Sequence, residues 1–297
     1  MILRQSDLSA FFALTFGCTW LLWTLASPMI QQRLGVRLSG DLLGALGTAV
    51  PSLAALGLSA WRGVARELLE GLLRWRVHAG WYAFALLGPP ILMLVAMAIH
   101  VALGGAWPDY PAASRWPLFA INFVAVLLVG GPLGEELGWR GYALPRLSAR
   151  VGLPCAGALL GIVWAAWHIP LFLLPFSAQA GVPFLWFALQ AVALSIILAV
   201  AWQLTGRSLL LPVLLHASVN AFAVPLRVLP EDVASSRPYI LTVALTWGCA
   251  LILLVTWKQA EAAGQGAIRR SSRQAVAGNT ALNDLEQADH RDSTRNP

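Results

Sequence analysis

Eight stretches of about twenty residues carry almost nothing but apolar side chains. They lie at approximately 8–27, 41–60, 81–103, 117–135, 152–174, 183–205, 208–226 and 239–257. About 20 helical residues cross the hydrocarbon core of a bilayer, about twice the length a spanning β-strand needs. Inside hydrocarbon each backbone N–H and C=O must bond within the protein, so runs of this length form helices. The expected fold is all-α, a polytopic transmembrane helical bundle of about eight spans over residues 1–257. Charged residues make up only 11% of the chain against 58% hydrophobic, far below the roughly 25% charge of a soluble domain.

The connections carry turn and charge signals: Ser27-Pro28, Trp61-Arg62, Trp107-Pro108-Asp109, the Arg140–Arg150 stretch, Pro175, Thr205-Gly206-Arg207 and Pro230-Glu231-Asp232. The fourth run contains Gly130-Gly131-Pro132, a breaker whose freed carbonyls need partners elsewhere in the protein. Only a few residues separate the sixth and seventh runs. The first run is read as a span rather than a cleaved leader, because it is long and Pro28 follows closely.

The net charge of +6 reflects basic loops against an anionic leaflet rather than nucleic-acid binding. With eight spans both termini share a face. That face holds Arg4, Arg62, Arg66, Arg74, Arg76, Arg140, Arg146, Arg150, Arg207 and Lys258, against Arg33, Arg37, Arg115, Arg227 and Arg237 opposite. The bias places the termini in the cytoplasm, in what is expected to be a bacterial plasma membrane. Residues 258–297 lose the apolar pattern and read as a disordered cytoplasmic tail. Arg62–His78 reads either as an amphipathic surface helix or as a segment packed on the bundle. Cys18, Cys155 and Cys249 are too scattered for a zinc site or a disulfide framework.

Within the apolar runs a few strong hydrogen-bonding side chains recur at helical spacing. Glu135 and Glu136 precede Arg140, which stands one turn beyond Glu136. Trp164 and His168 share a helix face, as do His216 and Asn220, because positions i and i+4 align. Each ionisable group at mid-bilayer costs at least ~2.5 kcal/mol, so such groups face a protein interior and act there. His100, alone on its run, reads as a bridge between helices.

Two carboxylates, two imidazoles, an amide and a guanidinium suit hydrolysis. A carboxylate in a poorly solvated pocket is a stronger base towards water, and a neutral imidazole can hold that water or ligate a metal. An Asn N–H and a second imidazole N–H can donate to the oxyanion of a tetrahedral intermediate. Arg140 would hold Glu136 ionised. Neither a Gly-x-Ser-x-Gly elbow nor a His-Glu-x-x-His helix occurs, so serine-hydrolase and zincin plans are absent.

In order, Glu135-Glu136-x-x-x-Arg140, Trp164-x-x-x-His168 and His216-x-x-x-Asn220 resemble the three motifs of the type II CAAX prenyl endopeptidases. Bacterial members of that family are grouped as CPBP or Abi intramembrane metalloproteases. The run Gly134–Leu147 is especially similar to bacterial members, and the resemblance covers about residues 117–226. Trp164 stands where the family usually shows Phe. The resemblance implies a membrane protease with its cavity open towards the cytoplasm, cleaving membrane-associated peptide or protein substrates. Glu135 and His168 would activate water, His216 and Asn220 would stabilise the oxyanion, and Glu136 and Arg140 would support the site. Zinc held by Glu135, His168 and His216 and a metal-free glutamate mechanism both stay open. A non-catalytic membrane immunity or scaffold protein is the alternative from another class. A transporter is a third reading, but no internal inverted repeat supports it.

Overall fold

The computed structural model describes residues 5–108, 117–129, 131–175, 177–230 and 235–263. Among these residues every regular element is helical. The chain is an integral membrane protein: among the described residues, seven helices are long and apolar enough to cross a bilayer. It divides into two units, Met1–Leu251 and Ile252–Pro297, and the elements that build the site belong to the first. The proposed tail lies, from residue 264 on, outside the described residues.

The elements run in order: α1 Gln5–Ala26, α2 Pro28–Leu34, α3 Gly40–Trp61, α4 Ala65–Glu70, α5 Ala79–Ala102, α6 Pro117–Val129 and α7 Pro132–Glu136. A π-helical turn Leu137–Ala143 leads into α8 Leu144–Val151, then α9 Leu153–Trp167, a 3₁₀ turn Ile169–Leu173, α10 Phe184–Leu204 and α11 Leu210–Ala223. The last helix, α12, is Arg237–Ala263. All eight apolar runs are therefore helices, but α11 has only 14 residues. At 1.5 Å per residue it measures about 21 Å, short of the ~30 Å hydrocarbon core.

Two expected boundaries change. The Arg140–Arg150 stretch is not a loop, since the helical run beginning at Pro132 continues to Val151. Glu135 and Glu136 accordingly sit within a long helical run instead of closing a span. Of the Arg62–His78 segment only Ala65–Glu70 is helical, and its Leu68 is buried against the bundle.

The break before Pro132 is accommodated by α3. Gly131 adopts φ +109°, open to glycine and hardly to other residues, and Ser52 Oγ on α3 donates to Leu133 O at 2.9 Å. Gly134 and Gly138, one turn apart, let backbones touch: a Cβ on Gly134 would lie 2.7 Å from Thr48 O, and one on Gly138 2.6 Å from Pro51 O. On α9, Gly157 and Gly161 repeat the pattern against α10. A Cβ on Gly161 would lie 2.6 Å from Val192 Cα, and Ser195 Oγ donates to Gly157 O at 2.8 Å. With lipid as apolar as leucine, such close packing and interhelical hydrogen bonds hold membrane helices together.

α1 is built into this bundle. Thr19 Oγ1 donates to Gly47 O on α3, and Trp20 Nε1 donates to Trp167 O at the end of α9. Cys18, Cys155 and Cys249 are free thiols, as their spacing implies. His100 is buried, but neither ring nitrogen has a hydrogen-bond partner among the described residues. The helix-bridging bond expected of it is not formed there.

Candidate active site

Three helical segments bring the motif residues together. Glu135 and Glu136 end α7, Arg140 lies on the π-helical turn, Trp164 is on α9 with His168 just beyond it, and His216 and Asn220 lie one turn apart on α11. Glu135, Glu136, Arg140, His168 and His216 are buried. The widened π turn, a feature often found at functional sites, follows directly on the two carboxylates.

Glu136 is a clamp. Its Oε1 accepts from Arg140 Nη1 at 2.9 Å and from His216 Nδ1 at 2.8 Å. The carboxylate fixes the proton of His216 on Nδ1, so Nε2 accepts the N–H of Asn220 Nδ2 at 3.1 Å. A chain Arg140–Glu136–His216–Asn220 thus ties the π turn to α11. Paired buried charges of this kind hold geometry more than they add stability.

Glu135 stands apart from that chain. Its Oε2 accepts from Trp164 Nε1 at 2.7 Å, and its Oε1 lies where a side chain at residue 131 would be: a Cβ on Gly131 would come within 2.5 Å of it. Gly131 is therefore constrained twice, by its positive φ and by this oxygen. His168 Nδ1 lies 2.8 Å from Trp164 O; the carbonyl accepts, so Nδ1 carries the proton and Nε2 keeps its lone pair. Trp164 also meets the rings of His168 and His216 edge-on, with centroids 5.5 and 5.1 Å apart, and the Arg140 guanidinium lies 4.8 Å from its ring centre.

A cavity of about 290 Å³ adjoins these groups, lined by Trp164, His168, His216 and Asn220 and, from α10, by Phe187 and Gln190. The rest of its wall is largely apolar. Its exposed lining residues are Asn220, near the end of α11, and Ala178 and Val224 in the connections that follow α9 and α11. The start of α11 is tied to the arginine-rich α3–α5 connection, where Leu209 N–H donates to Gly71 O. The exposed cavity lining therefore lies at the opposite end of the bundle from those arginines, so the cytoplasmic opening that the resemblance implies does not agree with the arginine bias.

The segment matching the type II CAAX prenyl endopeptidase, Rce1-like family model is residues 116–222. It contains all six charged or polar motif residues and Trp164. Residues 116–222 are similar to that family. A curated relative, CAAX prenyl protease 2 of Methanococcus maripaludis, is 30% identical over 139 residues, which is 44% of this chain and 51% of the relative. The chain thus spans about half the length of the curated relative it matches.

The six motif residues form two hydrogen-bonded sets, Arg140–Glu136–His216–Asn220 and Glu135–Trp164–His168, which meet where the Trp164 ring faces His216 and Arg140. The sequence places Trp164 and His168 on one helix face, and the role of the Trp164 N–H as a donor to Glu135 emerges only in the fold. The signal was present, because tryptophan at a position usually held by Phe adds one hydrogen-bond donor. The sequence leaves zinc held by Glu135, His168 and His216 open. Among the described residues no three His, Cys, Asp or Glu side chains are placed to hold a metal. Both nitrogens of His216 are engaged, by Glu136 and Asn220.

Proposed function

We propose that this chain is an intramembrane endopeptidase that hydrolyses peptide bonds of membrane-associated substrates with a water activated by Glu135. The observation that carries this reading is the division of labour between the two adjacent carboxylates. Glu136 is held through Oε1 by both Arg140 and His216, and its Oε2 is buried without a partner among the described residues. Glu135 is oriented through one oxygen by Trp164 and keeps the other for a water. The name of the curated relative, with its prenyl substrate, and the family that residues 116–222 resemble support proteolysis at this position.

In the reaction, Glu135 takes one proton from water, while His168 Nε2 accepts a hydrogen bond from the O–H that the hydroxide keeps. The hydroxide oxygen bonds to the scissile carbonyl carbon. The remaining N–H of Asn220 Nδ2 donates to the resulting oxyanion, while His216, fixed by Glu136, holds the amide in place. This differs from the role implied for His216 by resemblance, since its one N–H is directed to Glu136. Collapse of the intermediate breaks the C–N bond, and Glu135 returns its proton to the leaving amine.

The apolar cavity wall selects substrates whose residues near the scissile bond are apolar. The buried Glu135 carboxylate, oriented by Trp164, supports catalysis over a scaffold or immunity role. By the arginine bias the termini lie in the cytoplasm. Incubation of purified protein with a peptide pool, followed by mass spectrometry of the products, tests the reading. Cleavage that disappears in Glu135→Gln is the expected result, and cleavage unaffected by that change contradicts it.

A further inference from the structure

A second cavity, of about 340 Å³, lies at the arginine-rich end of the bundle, away from the catalytic network. Its lining includes Arg74, Arg146 and Arg207, with Tyr142 and Trp202, and Glu67 as its one carboxylate. Other acidic groups nearby are already paired: Asp7 with Arg62 at 2.5 Å and Glu70 with Arg66 at 2.9 Å. Three guanidinium groups thus face one free carboxylate, which makes the cavity a site for an anion.

The arginines are positioned before any ligand arrives. Arg146 lies 3.5 Å from the centre of the Tyr142 ring and donates through Nη1 to Tyr142 O at 2.8 Å. Arg74 Nη1 donates to Gly206 O at 2.8 Å, and Ser208 Oγ donates to Arg74 O at 2.7 Å. Arg207 lies over Trp202, 5.4 Å from the ring centre. It holds a left-handed backbone, φ +66°, that a side chain disfavours. Each guanidinium has five N–H groups in a planar fork suited to phosphate oxygens, so further donors remain after these bonds.

The setting decides the source of the anion. The cavity lies where α3 and α10, both long enough to span, come to their ends. Leu69, Leu73 and Trp61 stand exposed on the adjoining segment, where acyl chains would lie. We infer that this cavity binds the phosphate group of an anionic phospholipid headgroup. Basic pockets between membrane helices take such groups, and the arginine bias puts this one at the anionic cytoplasmic leaflet.

The test uses the purified full-length chain in neutral detergent, with bound lipid counted by native mass spectrometry. Phosphatidylglycerol should occupy the protein at concentrations at least ~10-fold lower than phosphatidylcholine, as expected for charge-assisted Arg–phosphate pairs. Arg207→Gly combined with Arg146→Gln should erase that preference. The Arg33→Gln, Arg37→Gln pair, at the other end, should leave it intact. Arg207→Gly alone should weaken phosphatidylglycerol binding while leaving thermal stability equal or higher, because glycine relieves the backbone, so lost binding cannot be ascribed to unfolding. Millimolar inorganic phosphate should not displace the lipid; displacement would support the site but assign it to the free ion. Equal binding of the two lipids, or undiminished preference in the arginine variants, overturns the inference.

Discussion

Trp164 Nε1 donates to Glu135 Oε2 at 2.7 Å, and Trp164 O accepts from His168 Nδ1 at 2.8 Å. One residue on α9 thereby sets the orientation of both groups assigned to water activation. Trp164→Phe keeps the aromatic surface and the backbone carbonyl but deletes the bond to Glu135. A hydrogen bond to a charged group contributes about 1.5–3 kcal/mol, so kcat should fall roughly 10- to 100-fold with KM nearly unchanged. Steady-state kinetics on a cleaved peptide checks this; a Phe variant as fast as the parent would show that the indole N–H plays no part.

Glu136 and Glu135 should respond oppositely to the same chemical change. Glu136→Gln leaves the buried Arg140 guanidinium without its carboxylate, a loss of about 3–5 kcal/mol for a broken buried pair. Glu135→Gln keeps a polar acceptor for Trp164 and should cost little stability. Thermal unfolding in detergent should show a lower Tm for Glu136→Gln and a near-parental Tm for Glu135→Gln. Equal losses would contradict the separation of roles.

The two glycine pairs give a test of the packing alone. Gly138→Ala and Gly161→Ala place a methyl against backbone atoms of α3 and α10 that cannot move as a side-chain end can. Each should destabilise by about 1–3 kcal/mol. Gly57→Ala, with nothing within 4 Å of its Cβ, should be neutral or stabilising.

Most of the fold was legible as apolar runs, because hydrocarbon leaves helices as the form a twenty-residue apolar segment takes. The motif residues were legible because ionisable groups in such runs stand out. What the sequence hid was depth and register. The Arg140–Arg150 stretch looks like a loop because arginines mark loops, yet Arg140 is buried by its pairing with Glu136 and the helix continues past it. The close contacts at Gly134, Gly138, Gly157 and Gly161 were present as small residues four apart. Their partners on α3 and α10 follow only from the three-dimensional arrangement. The spending of both His216 nitrogens is likewise invisible until α7 and α11 are brought together.

Topology places Glu70 and Ala178 at opposite ends of the bundle. In a variant lacking Cys18, Cys155 and Cys249, cysteines introduced at Glu70 and at Ala178 should react with a membrane-impermeant reagent from opposite faces. The arginine bias assigns Glu70 to the inside, so Ala178, at the cavity lining, should label on intact cells. Labelling of both from one face would contradict the helix order, and labelling of Glu70 alone from outside would reverse the orientation.

The central claim is that Glu135 is the base that activates water. Its most direct test is kcat/KM of purified Glu135→Gln beside the parent on one peptide that the parent cleaves. The amide keeps the shape of the side chain and cannot take a proton, so the loss should reach at least ~100-fold with the Tm unchanged. A folded Glu135→Gln protein that turns over the peptide at a near-parental rate would contradict the account.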